Sequence, residues 1–383
     1  MTRHVTLALA AAAAGITLTA TALGSTAGAA QTGSAPPASF TTSGRLLAVA
    51  ATSARNAWAV GLDGAQNLIV HWNSRAWTRA LNSRGGFLLG VTATSARNAW
   101  AVGGTAWFRP QTVIEYWNGK AWKRVRSPSP EPSSMLSAVA ATSPRNAWAV
   151  GSIGPGPGIN PGRGTRTLIE QWNGRTWKRV PSPSPGPAAQ LIGVAATSPC
   201  NAWAVGWTGT GYEPGASSQT LIEHWNGRTW KRVPSPSPGP VNNLPGVTAT
   251  SARNAWAVGV TSTHPNINDK TLILHWNGRA WKRVASPTPA PHAFLSGVGA
   301  TSRRDAWAVG MTIGQNTCAP RCATVIEHWN GHAWKQVPSP NPPSGDLNQL
   351  FGVAPTSRHN AWAVGTTDYA STLIVRWNGH AWK

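Results

Sequence analysis

Positively charged residues recur at two positions whose chemistry suits an anionic polymer. The first position is the Arg of a TSxRN segment, or of TSRRD in the sixth copy, and is occupied by Arg55, Arg97, Arg145, Arg253 and Arg304. The second is the fourth residue of a WNGR segment or its variant and is occupied by Arg75, Lys120, Arg175, Arg228 and Arg279. The remaining copies of the two segments hold Cys200, His359, His332 and His380. Rings of cations can bind a polyanion by releasing counterions. The alternative is that these side chains cap turns and keep a repeated scaffold soluble.

Four aromatic residues are candidates for a second binding site. Trp107 and Trp207 are the only tryptophans outside the repeated pattern of the chain, and Phe108 and Tyr212 lie close to them in sequence. Exposed aromatic side chains on loops can stack on sugar rings or anchor a protein partner. The alternative is that they pack on their own structural unit or on its neighbour.

Carboxylates are scarce and their arrangement gives little support to catalysis. Glycoside hydrolysis needs a pair of carboxyl groups about 5–9.5 Å apart. Four glutamates recur at one repeat position and therefore read as structural: Glu115, Glu170, Glu223 and Glu327. The irregular acids are each isolated: Asp63, Glu131, Glu213, Asp269, Asp346 and Asp368. No phosphate-binding loop, G-x-S-x-G or H-E-x-x-H segment is present. We therefore predict no catalytic residue, and a carbohydrate-active enzyme is the alternative.

Histidine and cysteine suggest neither a metal nor a cofactor. Four histidines precede a repeated Trp and are interpreted as packing residues: His71, His224, His275 and His328. Cys318 and Cys322 flank three residues of one insert, and we predict that they form a disulfide in an oxidising compartment. Cys200 is predicted to be a free or intermolecular thiol.

The elements that position these residues belong to a sevenfold repeat. Copies begin near Leu46, Leu88, Leu136, Leu191, Leu244, Leu295 and Leu350. A repeat of this length is typical of propellers and solenoids. Three Trp in each copy account for 21 of the 23 tryptophans, and burying them requires a folded chain.

Each copy divides into four short segments that end at Gly, Asn or Pro, which predicts a four-stranded antiparallel sheet. The segments are LxGVAATS, AWAVG, LIEHW and AWKRV, in chain order. Together they resemble the Trp-rich propeller repeats of secreted bacterial proteins and, more distantly, tectonin, kelch and sialidase-like propellers. Both the repeat and the resemblance predict an all-β, seven-bladed β-propeller over residues 46–383.

Propeller topology assigns the loops to two faces. The TSxRN and WNGR turns share one face, which we call the constant face. The connections from the second to the third strand and from the fourth strand to the next blade share the other, the variable face. We expect the first strand to be innermost. Copy seven lacks its RVPSP portion, so residues 36–42 are predicted to complete its outer strand and close the ring.

The N-terminal sequence predicts export. Residues 1–30 combine a short positive start, an apolar stretch and a small-residue site, as in a secretory signal peptide. Residues 31–45 form a linker and the ring-closing strand. If the signal segment stays uncleaved, it would anchor the chain in a membrane.

The net charge of +22 favours anionic partners but does not determine the fold. We therefore expect a secreted or cell-surface, monomeric binding scaffold. Its partner would be a glycan, an anionic wall polymer or a protein, with no specific nucleic acid. A purely structural surface protein is a further alternative.

Overall fold

The computed structural model describes residues 41–80, 85–154, 162, 164–210, 216–263, 269–290, 292–313, 322–342 and 347–383. Within these ranges the regular elements are all β-strands. Accordingly, no helix there is long and apolar enough to cross a membrane. The strands form seven antiparallel sheets in chain order, which confirms the predicted seven-bladed β-propeller.

The strands are numbered along the chain. The innermost strands are β1 (Arg45–Ser53), β5 (Phe87–Ser95), β9 (Ser133–Ser143), β13 (Ala188–Ser198), β17 (Val241–Ser251), β21 (His292–Ser302) and β25 (Asn348–Ser357). The second strands are β2 (Asn56–Asp63), β6 (Asn98–Gly104), β10 (Asn146–Gly154), β14 (Asn201–Gly209), β18 (Asn254–Ser262), β22 (Asp305–Ile313) and β26 (Asn360–Thr367). The third strands are β3 (Gln66–Trp72), β7 (Thr112–Trp117), β11 (Arg166–Trp172), β15 (Ser218–Trp225), β19 (Lys270–Trp276), β23 (Ala323–Trp329) and β27 (Ser371–Trp377). The outer strands are β4 (Trp77–Arg79), β8 (Trp122–Val125), β12 (Trp177–Arg179), β16 (Trp230–Arg232), β20 (Trp281–Val284) and β24 (Trp334–Val337).

The innermost strands begin one to three residues before the predicted repeat starts. The extra residues pair with the end of the second strand, as Ser133 does with Gly154. The sequences of these extra residues differ between copies, so the repeated pattern did not predict that they belong to the strand.

Tryptophans hold neighbouring blades together. Trp148 of β10 is fully buried and contacts two residues of the next blade, Trp225 and Trp230. The ring centroids are 4.8 and 5.1 Å apart, and the second pair is edge-to-face, a favourable aromatic geometry. The same three-Trp contact joins every pair of adjacent blades, including blades seven and one through Trp362. The repeated Trp pattern therefore encodes the interfaces between blades.

The WNGR turns have the predicted register. Trp172 pairs directly with Trp177 across the hairpin, and the side-chain oxygen of Asn173 accepts hydrogen bonds from the turn amides. Gly174 has φ +93°, a conformation that L-residues rarely adopt. Ser74 occupies the same position in blade one at φ +80°.

The outer strands are shorter than predicted. We expected them to continue from AWK into RVPSPSP, but β12 ends at Arg179. Proline has no amide proton, so the ladder cannot continue through the Pro-Ser repeat. Thr167 at the start of β11 holds this segment instead: its amide donates to Ser184, and its hydroxyl donates to the Pro183 carbonyl.

Both ends of the described chain contribute to the outer edge of blade seven. Arg376 exchanges two backbone hydrogen bonds with Lys383, and the amide of Thr372 donates to the carbonyl of Thr42. Thr42 therefore occupies the place that the Pro-Ser segment occupies in other blades. Of the ring-closing segment predicted at 36–42, residues 36–40 lie outside the described ranges. Residues 1–30 also lie outside them.

Candidate functional site

A cavity of about 300 Å³ lies where the innermost strands of all seven blades meet. Its wall includes the residue that follows the repeated Leu in each copy: Leu47, Leu89, Ser137, Ile192, Pro245, Ser296 and Phe351. The lining is mostly apolar, and none of the described residues that form it has a titratable side chain. The cavity can therefore exclude water from an apolar group, but these residues offer no acid or base.

The end of this axial cavity toward the variable face is lined by residues that differ from blade to blade. Met135, Gln190, Phe294 and Gln349 lie near the starts of four innermost strands, and Trp107 reaches the same cavity from a loop. Our sequence analysis identified only Trp107. The signal for the others was available, because these positions vary beside an almost invariant Leu.

The aromatic candidates have different surroundings. Trp107 is half-buried, and its ring stacks on Phe87 with centroids 3.6 Å apart. Phe108 is 66% exposed and is the one exposed large hydrophobic residue that the described ranges contain. Tyr212 lies outside those ranges.

The interpretation of Trp207 as an exposed loop aromatic is wrong. Trp207 lies in β14 and is fully buried, and its indole N–H donates to the side-chain oxygen of Gln190 at 3.2 Å. β14 continues beyond Gly206 to Gly209, so Trp207 belongs to a strand and not to a loop. Gln190 lines the axial cavity and connects Trp207 to it.

The ten predicted cations of the constant face are all exposed. Their backbones are fixed, since the amide of Arg145 donates to the hydroxyl of Ser143 and that of Arg175 donates to Asn173. A Cβ built on Gly174 would lie 3.3 Å from Cβ and Cγ of Arg145, so the Arg145 stem lies close over the hairpin turn. The structure therefore brings the two cations of this blade onto adjacent turns of the constant face.

All four repeated glutamates are fully buried, and Glu170 and Glu327 contact the preceding blade. Glu170 is fully buried, and one of its oxygens accepts a 3.0 Å hydrogen bond from Ser127 of the preceding blade. Burial raises the pKa of Glu170, Glu223 and Glu327 to about 8 in each case. Burial also raises the pKa of Glu115, opposed by its ion pair with Arg124 at 3.0 Å. Because the four glutamates lie on the third strands of four different blades, they do not form a catalytic pair.

The repeated histidines pack and bond within the blades. His224 packs against Trp203 with centroids 4.2 Å apart, and its Nε2 lies 2.8 Å from the side-chain oxygen of Asn201. In blade six an aspartate replaces this Asn, and His328 lies 2.8 Å from Asp305. In the described part of the chain, no three His, Cys, Asp or Glu side chains are grouped as metal ligands.

The cysteines have different environments. Cys200 is an exposed free thiol on the constant face. Cys322 is disulfide-bonded and fully buried. Its predicted partner Cys318 lies outside the described residues, so the pairing stays a prediction.

Comparison with known proteins supports the fold. No protein-family model matches the sequence, and the search of curated proteins found no relative. Among solved structures, YCF48 bound to D1 peptide is similar over 90% of this chain and 96% of its own, with TM-score 0.52 and 13% identity. A streptogramin B lyase covers 88% and 97% of the two chains, with TM-score 0.57 and 11% identity. Virginiamycin B lyase from Staphylococcus aureus covers 87% and 98%, with TM-score 0.56 and 12% identity. At such identities the likeness extends to the fold alone, a β-propeller with Trp-rich blades in this chain.

Proposed function

We propose that this chain is an exported, non-catalytic binding scaffold that recognises a protein partner. An apolar segment of that partner would enter the axial cavity from the variable face. The observation that carries the proposal is the cavity itself, which is mostly apolar and lies at the lower end of the volume range of ligand pockets, about 300–1,000 Å³.

Two features favour a peptide segment over a sugar. Sugar recognition needs free aromatic faces and many polar groups, whereas Trp207 is buried and one face of Trp107 stacks on Phe87. The polar side chains that line the cavity include Gln190 and Gln349, which suit the few hydrogen bonds of a peptide backbone.

The solved structures of similar fold support a peptide ligand only by analogy. YCF48 has a similar fold and was solved bound to a D1 peptide. The lyases of similar fold would suggest catalysis instead. General acid–base catalysis needs a titratable group at the reacting atoms. The described lining of the axial cavity offers none.

Selection from a displayed library of random short peptides tests the proposal. Peptides selected on the full-length protein should share large apolar residues. Replacing Ser137, which lines the cavity, with Trp should abolish their binding in fluorescence anisotropy. The control Thr176→Trp adds the same ring at an exposed hairpin position on the constant face and should leave binding unchanged. Equal binding to both variants would rule out the cavity as the site. Binding to neutral glycans in its place would support the glycan alternative.

Export is the second part of the proposal and rests on the sequence of residues 1–30. The mass and N-terminal sequence of the protein recovered outside producing cells test it directly. Cleavage near residue 30 with release is the expected result. An intact N-terminus in the membrane fraction would instead indicate an anchored protein.

A further inference from the structure

Cationic side chains continue from the constant face onto the outer wall of the propeller. In blade three Arg145 and Arg175 lie on the face, and Lys178 and Arg179 follow on the outermost strand β12. All four are exposed. We call such a set a cationic stripe. Blade five has an equivalent stripe, and blade two has one with Lys120 in place of an Arg.

The cations of the constant face itself are not neutralised by neighbouring acids, whereas Arg124 on the outer wall of blade two pairs with Glu115. Within the described ranges, none of the ten predicted constant-face cations forms an ion pair. The one described carboxylate on this face is Asp305, which is buried and bonded to His328 and Thr301. On the variable face, by contrast, Asp63 and Glu131 each pair with an arginine. The constant face therefore combines fixed turns with unpaired cations.

We propose that the constant face and its cationic stripes bind a flexible linear polyphosphate, a polymer with one phosphate in each repeat. A cationic groove or wall that follows a chain of phosphates gains affinity by releasing counterions. Nine of the ten constant-face cations are Arg. Arginine presents a planar set of donors that matches phosphate oxygens bidentately.

The shape of the charged surface favours a flexible chain over other anionic partners. A flat membrane or a rigid duplex would touch the face and leave the cations of the outer wall unused. Membrane binding also gains from exposed apolar side chains. The exposed large hydrophobic residue described here, Phe108, lies on the opposite face. Single-stranded nucleic acid would need aromatic stacking platforms. The first Trp of each hairpin is half-buried or buried and donates its indole N–H to a loop carbonyl of its own blade, as Trp172 does to Pro144. The second Trp of each hairpin is buried.

Blade four provides a test by gain of function, because Cys200 replaces the loop arginine there. Its backbone has the same geometry as the arginine loops: the Cys200 amide donates to Ser198 at 3.2 Å. A Cβ built on Gly227 would lie 3.2 Å from Cys200 Cβ, against 3.3 Å for Gly174 and Arg145. An arginine can therefore take this place without rearrangement of the turn.

The experiment is a titration of the full-length protein with long-chain inorganic polyphosphate over a range of salt concentrations. Cys200→Arg should bind more tightly than the parent, with the slope of log K against log salt steeper by about 0.7. Cys200→Ser should match the parent. If Cys200→Arg binds no better than Cys200→Ser, the constant face is not the site.

Two double variants that each remove two positive charges test whether the location of the cations matters. Arg145→Gln with Arg175→Gln should weaken binding about tenfold or more at low salt and flatten the slope by about 1.4. The matched control, Arg109→Gln with Lys270→Gln, removes two exposed cations elsewhere and should have little effect. Equal losses in the two variants would show that only net charge matters and would overturn the proposal.

Further arms separate this site from other partners and from the axial cavity. Duplex DNA or anionic vesicles that bind as tightly per phosphate as polyphosphate would overturn the choice of polymer. Ser137→Trp should bind polyphosphate like the parent, because its substitution lies in the axial cavity. The two proposals can therefore fail independently.

Discussion

The constant and variable ends of each blade differ in how they are packed. At the constant end, every pair of neighbouring blades has the same three-Trp contact, with centroid distances of 4.8–5.0 Å and 5.1–5.2 Å. At the variable end, each blade has its own arrangement: Phe87 stacks on Trp107, Trp207 bonds Gln190, and Asp269 contacts Ser262 and His292.

This difference follows from ring closure. Seven blades form a closed ring only if the rotation from one blade to the next is nearly the same at every interface. The packing that sets this rotation therefore repeats. The variable loops lie outside these contacts and are free to differ, as is usual for loops that bind partners on a rigid scaffold. We therefore expect stability to depend mainly on the constant end, and the proposed recognition of a protein partner to depend on the variable end.

The largest expected effect comes from the three-Trp contact. Trp148→Ala should destabilise the protein by about 3–5 kcal/mol, because it removes a fully buried ring and leaves a cavity between two blades. Urea unfolding followed by Trp fluorescence measures this change. The control Phe108→Ala removes an aromatic ring that is 66% exposed on the variable face, and should change stability by no more than about 0.5 kcal/mol. Similar losses in the two variants would contradict the comparison.

The buried glutamates should make the stability of the propeller sensitive to pH. Glu170, Glu223 and Glu327 have pKa values of about 8, against a normal value of 4.5. The unfolded chain therefore loses these protons first as pH rises. The contribution of these glutamates to stability should be most favourable below pH 4.5, should fall as pH rises toward about 8, and should then level off.

A variant with all three glutamates replaced by Gln tests this dependence. Its melting temperature should vary less with pH than that of the parent, and the difference should grow in the variant's favour as pH rises to about 8. Differential scanning calorimetry at several pH values measures it. Parallel curves for the two proteins would show that these carboxyls do not hold their protons in the folded state.

A smaller effect is expected where Trp207 supports the variable end. Trp207→Phe removes the indole N–H that bonds Gln190, which should reduce stability by about 1 kcal/mol. It should also weaken the binding of selected peptides, because Gln190 lines the axial cavity. If the variant lost stability but still bound the selected peptides tightly, Gln190 would not need the hydrogen bond from Trp207.

At the turn of blade one we expect an effect on stability alone. Ser74 is a non-glycine residue at φ +80°, where the other six hairpins have Gly. Ser74→Gly should stabilise the protein by about 1 kcal/mol, since it removes the strain of a side chain in this conformation. Gly174→Ser should destabilise it by a similar amount in chemical denaturation. No change in either variant would mean that the turn adapts to a side chain.

Much of the architecture could be predicted from the sequence. The spacing of Trp172 and Trp177 gave the register of the hairpin, and the recurring WNGR and TSxRN segments placed the exposed cations on one face. These features are local or repeated, and a repeated local pattern must have the same structure in every copy. The prediction for Trp207 was wrong because this residue lies outside the repeated pattern. The sequence around it does not indicate which residues bury its side chain.

The sequence by itself determined the number of blades, the strand order and the charge of the constant face, since each depends on residues close in the chain. Only the tertiary structure showed that the innermost strands leave an axial cavity lined by Ser137, Ile192 and Phe351, and that Glu170 is buried against the preceding blade. Both features arise from contacts between residues of different blades. Their geometry depends on closure of the whole ring, which no single repeat contains.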